Sequence, residues 1–478
     1  MEQLIGRTEE KETLERALET TESELVAIYG RRRVGKTFLI KSVYRDRTVF
    51  EFSGTPNANL DAQLASFTEA LQRTSRSPLP LATPSNWQAA FSLLRNILME
   101  RLGKTKKKSV VFFDEFPWIH TPKSNFLQAF SYFWNSWAAW DGRLVVVICG
   151  SAASWMIRKV LNDRGGLHNR VTKRIRLFPF TLTETADYLK SRRIVLDAYQ
   201  VLQLYCCMGG IPHYLKTIEP GMSVSQAIDR ACFTQQGALR DEFQALYQSL
   251  FEHADNHILI IRTLARKAIG MTRTELLSEA GLRSGGGATT ILTELEASGF
   301  ITTYIPFGKT AKNSLIKLTD EYSLFYLRFI EHSRATGEGT WLKRAQGPVW
   351  KSWSGYAFEG ICMKHSTQLK RALGIADVYT EISPWRYQGT AHEAGCQIDL
   401  LFDRQDGCIN VCEIKFYPGP FSIDKAYAEQ LQKKLTVFRQ QTKTRKTLFL
   451  TFITPFGLKK NSHSINLVQK ETTMDAFF

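Results

Sequence analysis

Residues 25–39 read LVAIYGRRRVGKTFL. The apolar run Leu25 to Tyr29 predicts a buried strand, Gly30 opens a loop, and Gly35, Lys36 and Thr37 close it into a helix start. The spacing is G-x-x-x-x-G-K-T between a strand and a helix, the pattern of a phosphate-binding loop. Gly30 and Gly35 permit backbone conformations that aim N–H groups at phosphate oxygens. Lys36 brings a positive charge to the β- and γ-phosphates, and the Thr37 hydroxyl is placed to ligate Mg²⁺. The helix N-terminus adds a favourable dipole. The candidate nucleotide-binding segment is therefore Gly30, Arg31, Arg32, Arg33, Val34, Gly35, Lys36, Thr37 and Phe38, with ATP and Mg²⁺ as its expected ligands. The three arginines either neutralise phosphate charge or point outward as a basic surface.

Working outward, Thr48–Phe52 reads as a second strand, Ser53–Ser85 as polar and proline-punctuated, and Gln88–Leu102 as a helix by its apolar spacing. Ser109–Glu115, SVVFFDE, is an apolar run ending in two acids, as expected of a buried parallel strand whose C-terminal edge faces the loop. Asp114 is expected to hold Mg²⁺ through its water shell, and Glu115 to polarise the attacking water. Leu144–Cys149 predicts a further buried strand, followed by Gly150-Ser151. Ser151 either senses the γ-phosphate or caps the helix beginning near Ala152, and both roles are compatible. In RGGLHNRVTKRIRLFPF, residues 164–180, Arg170 is the first candidate for an arginine finger, with Arg174 and Arg164 as alternatives. Phosphate or nucleic-acid contact is the competing role for these arginines.

A chain of 478 residues is long enough for about three domains. A hydrophobic fraction of 44% with 23% charged residues is ordinary for a globular protein, but a net charge of +16 points to a polyanionic partner, most simply nucleic acid. No apolar run approaches the roughly 20 residues needed to span a bilayer. The opening MEQLIGRTEEKETL is charged and lacks a signal-peptide core. The 8 cysteines show no paired metal spacing, so reduced thiols and a cytoplasmic setting are expected.

Leu4-Ile5-Gly6-Arg7, just before an amphipathic helix, resembles the entry segment of AAA+-type ATPases that lies against adenine; this makes Gly6 and Arg7 candidate nucleotide contacts. Thr183–Tyr214 reads as helical and ends Gly209-Gly210-Ile211-Pro212-His213-Tyr214, a turn able to lay Pro212 on the nucleotide base. Taken in order, the Gly-Arg entry, the arginine-bearing loop, Asp114-Glu115, Gly150-Ser151, LHNRVTKRIRLFPF and GGIPHYL resemble the archaeal-type ATPases, which are AAA+/STAND-related P-loop proteins. The resemblance spans the chain. It implies an ATPase domain with a helical lid, a winged helix, and a restriction-endonuclease-like domain.

The later sequence supports the last two parts on its own terms. Ile258–Lys267, Glu275–Ala280 capped by Thr272, and Ala288–Ser298 after a glycine-rich turn read as three helices. An alternating hairpin follows to Leu318, completing a winged-helix pattern. Lys309, Lys312 and Lys317 are candidate phosphate contacts on its wing. Gly337–Pro348 reads as a linker, and Val349–Leu373 as a helix carrying Glu359. Asp399 in QIDLL and Glu413 and Lys415 in CEIK fall on two alternating strands about an Asp406-Gly407 turn. Glu413 and Lys415 share a strand face. This is the D…E-x-K arrangement of PD-(D/E)xK nucleases. The resemblance implies Asp399 and Glu413, joined by Glu359, on Mg²⁺ or Mn²⁺. Lys415 would act on the attacking water, with Gln430 on the following helix positioning it. Asn461–Phe478 carries no readable signal.

The expected fold is α/β. A parallel P-loop sheet spans residues 1–178, a helical lid and linker 179–252, a winged helix 253–335, and a nuclease-like α/β domain 345–478. The expected function is an ATPase, with a homo-oligomer as a candidate assembly, coupled to a metal-dependent nuclease-like module acting on DNA or RNA. The alternative is a nucleotide-dependent DNA- or protein-binding switch with an inert C-terminal scaffold.

Overall fold

Runs of β-branched and aromatic residues form strands that are buried on both faces. Three such runs, β1 (Glu24–Tyr29), β3 (Ser109–Asp114) and β4 (Leu144–Gly150), are flanked by the partly exposed β2 (Thr48–Ser53) and β5 (Lys173–Arg176) in the first part of the chain. In the computed structural model they form one parallel sheet ordered β2-β3-β4-β1-β5. The structure describes all residues except 1–2, 76–78, 104–106, 163–164, 334–336, 338, 346 and 390–394. The chain divides into two compact units, residues 1–178 with 297–299, and residues 179–296 with 300–478.

In the first unit, helices Trp87–Leu102 and Phe126–Ser136 pack Trp87, Phe91, Phe126 and Phe130 against Phe113 and Phe116. The segment read as polar, 53–85, holds a helix at Leu60–Thr74, with Asn59 accepting from the Ala62 N–H at its start. Its buried face includes Gln63, Thr68 and Thr74 beside Leu64, Phe67 and Leu71, and this dilutes the apolar periodicity in the sequence. Gln63 is fully buried because its amide donates to the carbonyls of Thr55 and Trp118.

The second unit begins with helices at Leu182–Ser191, Ala198–Met208 and Pro212–Leu215. Helices Ala254–Ala265, Arg273–Glu279 and Gly286–Ala297 follow, with a small antiparallel sheet. That sheet is β6 (Met271–Thr272), β7 (Ile301–Tyr304) and β8 (Leu315–Leu318), ordered β6-β8-β7. Thr272 accepts from the Glu275 N–H, the capping its position in the sequence predicts. A second sheet, ordered β13-β12-β11-β10-β9, comprises β9 (Thr380–Tyr387), β10 (Cys396–Arg404), β11 (Cys408–Ile414), β12 (Thr447–Ile453) and β13 (Lys470–Thr472). Strands β9, β10 and β11 run antiparallel, whereas β11, β12 and β13 run parallel.

Three expectations need correction. The stretch 337–348 is no loose linker. It holds a helix at Thr340–Arg344, and the Asp229 carboxylate accepts from the Gly339 and Trp341 N–H groups at 2.7 and 2.5 Å. Trp341 is buried against Phe233, Phe325 and Trp350. The helix read over 349–373 breaks at His365 into Pro348–Lys364 and Ser366–Ala372. The tail is ordered as β13 and a last turn that sets Phe477 against Phe358 and His365. The cysteines are unpaired by disulfides, six of them buried.

Candidate functional site

Because β1, β4 and β3 are neighbours and parallel, the turns leaving their C-terminal ends meet at one edge of the first sheet. β1 delivers the glycine loop, β3 Asp114 and Glu115, and β4 Ser151. Gly30 has φ 150°, and a Cβ there would lie 2.3 Å from the Leu177 carbonyl oxygen. Gly35 has φ 92° and caps the helix Lys36–Val43. The Lys36 side chain is buried and its ammonium donates to the Gly30 and Arg31 carbonyls at 3.1 and 2.9 Å. Thr37 Oγ1 donates to Asp114 Oδ2 at 2.8 Å. A hydroxyl and a carboxylate converging beside a lysine form the hard-oxygen donor set that Mg²⁺ takes.

Glu115 follows at φ 43° and ψ 49°, a left-handed conformation that turns its side chain across to β4. Its Oε2 accepts from the Ser151 N–H at 3.0 Å and from the Ser151 hydroxyl at 2.7 Å. Two glycines make this convergence possible, Gly54, which the sequence does not flag, and Gly150, which it flags only as the residue before Ser151. A Cβ on Gly54 would meet the Glu115 carbonyl oxygen at 2.7 Å, and one on Gly150 would meet Pro117 Cδ at 2.7 Å. Only their neighbours in space reveal the constraint.

The remaining loop residues divide. Arg7 is buried at φ 58°, and its guanidinium donates to the Val34 carbonyl at 3.2 Å, tying the Gly6-Arg7 turn to the loop. Arg31 is buried, Arg32 lies over the Trp118 ring at 5.6 Å, Arg33 has φ 72°, and Phe38 is half exposed. Arg170 is not at this edge. Thr172 donates through its N–H to the Leu25 carbonyl, and Lys173 pairs with Val26, so Arg170 precedes the N-terminal end of β5. A six-residue strand, roughly 20 Å long, therefore separates it from the loop. A finger acting on the loop of its own chain is thereby corrected. Arg174 is exposed, pairing with Ala27, and Arg164 lies outside the described residues. Pro212 is the first residue of the short helix Pro212–Leu215 in the second unit.

The second unit brings its candidate residues to one place. Leu400 pairs with Cys412, and one further step sets Asp399 opposite Glu413. Glu413 is buried and saturated. Its Oε1 accepts from the Tyr427 hydroxyl at 2.6 Å and pairs with Lys415 at 2.9 Å, while its Oε2 accepts from Lys434 at 2.5 Å. Burial pushes this carboxyl up, but the Lys434 and Lys415 cations outweigh burial and hold it below its ordinary range. Asp399 accepts from Gln397 at 3.0 Å. Burial and the Glu413 charge raise its pKa. Burial, then the Asp399 charge, push Glu359 up to about 8, with Lys317 and Lys415 opposing. No motif in the sequence singles out Tyr427 or Lys434, and Gln430 is exposed. Tyr427, Leu431, Lys434 and Phe438 lie at i, i+4, i+7 and i+11 of helix Lys425–Thr442, a stripe readable as its inner face.

These acids do not fit a divalent ion as arranged. Both oxygens of Glu413 are engaged by cations or a hydroxyl, and burial with the Asp399 charge favours the protonated form of Glu359. Among the described residues no group of three or more histidine, cysteine or acidic side chains is disposed to hold a metal. No helix of the described residues is long and apolar enough to cross a membrane.

A parallel α/β sheet that gathers a glycine loop, an acid pair and a polar strand end at one edge defines a P-loop ATPase core. Residues 4–218 match the model of an ATPase domain predominantly from Archaea. An uncharacterized protein of Methanocaldococcus jannaschii is 22% identical over 402 residues, 83% of each chain. An uncharacterized ATP-binding protein of the same organism is 44% identical over 45 residues, 9% of this chain and 76% of that one. The Walker-type ATPase of Pyrococcus abyssi shares the fold at 17% identity, with a TM-score of 0.50 over 68% of this chain and 96% of that one.

Proposed function

We propose that the chain is an ATP-hydrolysing switch whose second unit binds a polyanionic partner, with nucleic acid the best candidate. The observation that carries the first part is the bond from Thr37 to Asp114 beside the buried Lys36. Lys36 would exchange its loop carbonyls for the β- and γ-phosphates, and the loop N–H groups would cradle them. The Gly6-Arg7 turn, held to the loop through Val34, would flank adenine. Mg²⁺, held by Thr37 and Asp114, would neutralise phosphate charge when bound. Glu115 would accept a proton from the attacking water. Its carboxylate is tied to Ser151, so a γ-phosphate that draws the Ser151 donors away would release Glu115 when the substrate is in place. An exposed arginine at the opposite sheet edge, Arg170, would serve as a finger only for a second copy of the chain. Lys36→Ala tests the assignment. Turnover is expected to fall at least about a hundredfold, with loss of nucleotide binding by titration.

The second reading is a metal-dependent nuclease. The convergence of Asp399, Glu413 and Lys415 on the β10–β11 hairpin favours it. Their engagement with lysines is the arrangement that must change for it to hold. Plasmid and single-stranded RNA incubated in Mg²⁺ or Mn²⁺, with and without ATP, provide the test. Cleavage absent from Asp399→Ala, with ATP turnover intact, is the result this reading requires. Equal cleavage by both proteins, or none by either, removes it and leaves the switch.

A further inference from the structure

Three lysines surround the acids of the second unit, and they are not equivalent. Lys415 and Lys434 both pair with Glu413, at 2.9 and 2.5 Å. Lys317, on β8, is 6% exposed, and among the described residues its ammonium has neither a hydrogen bond nor a carboxylate within ion-pair distance. It lies 4.8 Å from the centroid of the Tyr356 ring. Tyr356 and Glu359 are three residues apart on helix Pro348–Lys364 and so share a face. Lys317, Tyr304, Tyr356, Glu359 and Asp399 line one cavity of about 630 Å³.

The small sheet is fixed in this position. The Phe307 N–H, in the β7–β8 connection, donates to the Pro384 carbonyl of β9 at 3.0 Å, and the Phe307 ring packs on Phe438 at 5.3 Å. Lys317 therefore does not project outward as a wing lysine over a groove, as the sequence pattern allows. Lys309 and Lys312 are exposed in that way. Glu359 and Asp399 act on this ammonium across the cavity but neither pairs with it, so burial outweighs them, and an aromatic face offsets only part of that cost. At the wall of a cavity sized for a small ligand, it is disposed to receive an anion. Tyrosine rings beside it, Lys309 and Arg386 also lining the cavity, and a chain of net charge +16 favour a phosphate that carries a base.

We propose that Lys317 anchors a phosphate group in this cavity, either of a polynucleotide or of a free phosphate compound. The proposal shares its cavity with the nuclease reading but needs no cleavage, so the two fail separately.

The test uses the full chain in a Lys36→Ala background, which removes the phosphate loop as a competing site, in EDTA. The probes are a fluorescent 5′-phosphorylated decathymidylate followed by anisotropy, and inorganic pyrophosphate as competitor. Lys317→Met is expected to weaken oligonucleotide binding at least about tenfold, Lys317→Arg to restore it to within about threefold, and pyrophosphate to compete. Should Lys317→Met lower the melting temperature, Lys317→Gln takes its place. Pyrophosphate binding that depends on Lys317, with oligonucleotide binding that does not, supports the anion site and assigns it to a free phosphate. Equal binding of both probes by the wild-type and neutral residues at 317 overturns the proposal. Lys317-dependent binding without any Mn²⁺-supported cleavage leaves this site standing and removes the nuclease reading.

Discussion

His365 is the residue whose surroundings give the sharpest solution signature. It sits at the break between two helices, 5% exposed, edge-on to Tyr205 and Phe477. Its Nε2 is buried with no hydrogen-bond partner among the described residues. Burial, helped by the Lys364 charge, pushes its pKa down to about 4 from 6.5. Between those two values the unfolded chain binds the extra proton and the folded chain does not. This contribution to stability is therefore complete above pH 6.5, falls as pH drops, and is gone near pH 4. The shift corresponds to roughly 3 kcal/mol at most. Urea unfolding of the wild type and His365→Phe at pH 7 and pH 5 isolates it from other titrations: the wild type should lose more stability over that interval. Parallel losses in the two proteins would show that His365 titrates normally. Glu115 makes the complementary point about function at this scale. Its identity was legible from the apolar run before it, but its bond to Ser151 was not. That bond depends on the β3–β4 pairing and on the space left by Gly150.

At the scale of elements, the docked β7–β8 connection decides what the second unit presents. Phe307 joins the cluster around Trp385, Ile398 and Phe438. Phe307→Ala should cost about 1–3 kcal/mol in the second unit's stability. It should also raise amide exchange across residues 301–318, and unchanged exchange there would mean that the hairpin is held without this ring. Strands and helices with clean alternation or helical periodicity were legible in the sequence, including the hairpin that aligns Asp399 with Glu413. Elements that bury polar side chains were not. The helix 60–74 hides Gln63 by bonding it to backbone carbonyls, and the 337–348 stretch is fixed by an aspartate more than a hundred residues earlier. Lys434 and Tyr427 went unread because their stripe shows its purpose only once Glu413 is seen between them. Arg170 illustrates the opposite case. Its residue type suits a finger, but parallel register places it at the wrong end of the strand for its own loop.

At the scale of the whole molecule, a chain of net charge +16 carries two sites proposed to handle anions. One is the phosphate loop of the first unit, and the other is the lysine-rich acidic cavity of the second. The segment that matches an archaeal-type ATPase domain holds the first, and its turnover is the claim from which every further role follows. The most direct test is steady-state phosphate release by the purified full chain with ATP and Mg²⁺, measured beside Lys36→Ala. The account predicts saturable release by the wild type and a loss of at least about a hundredfold in the variant. Equal release by the two proteins, or none by a wild type that is folded and metal-replete, would contradict it.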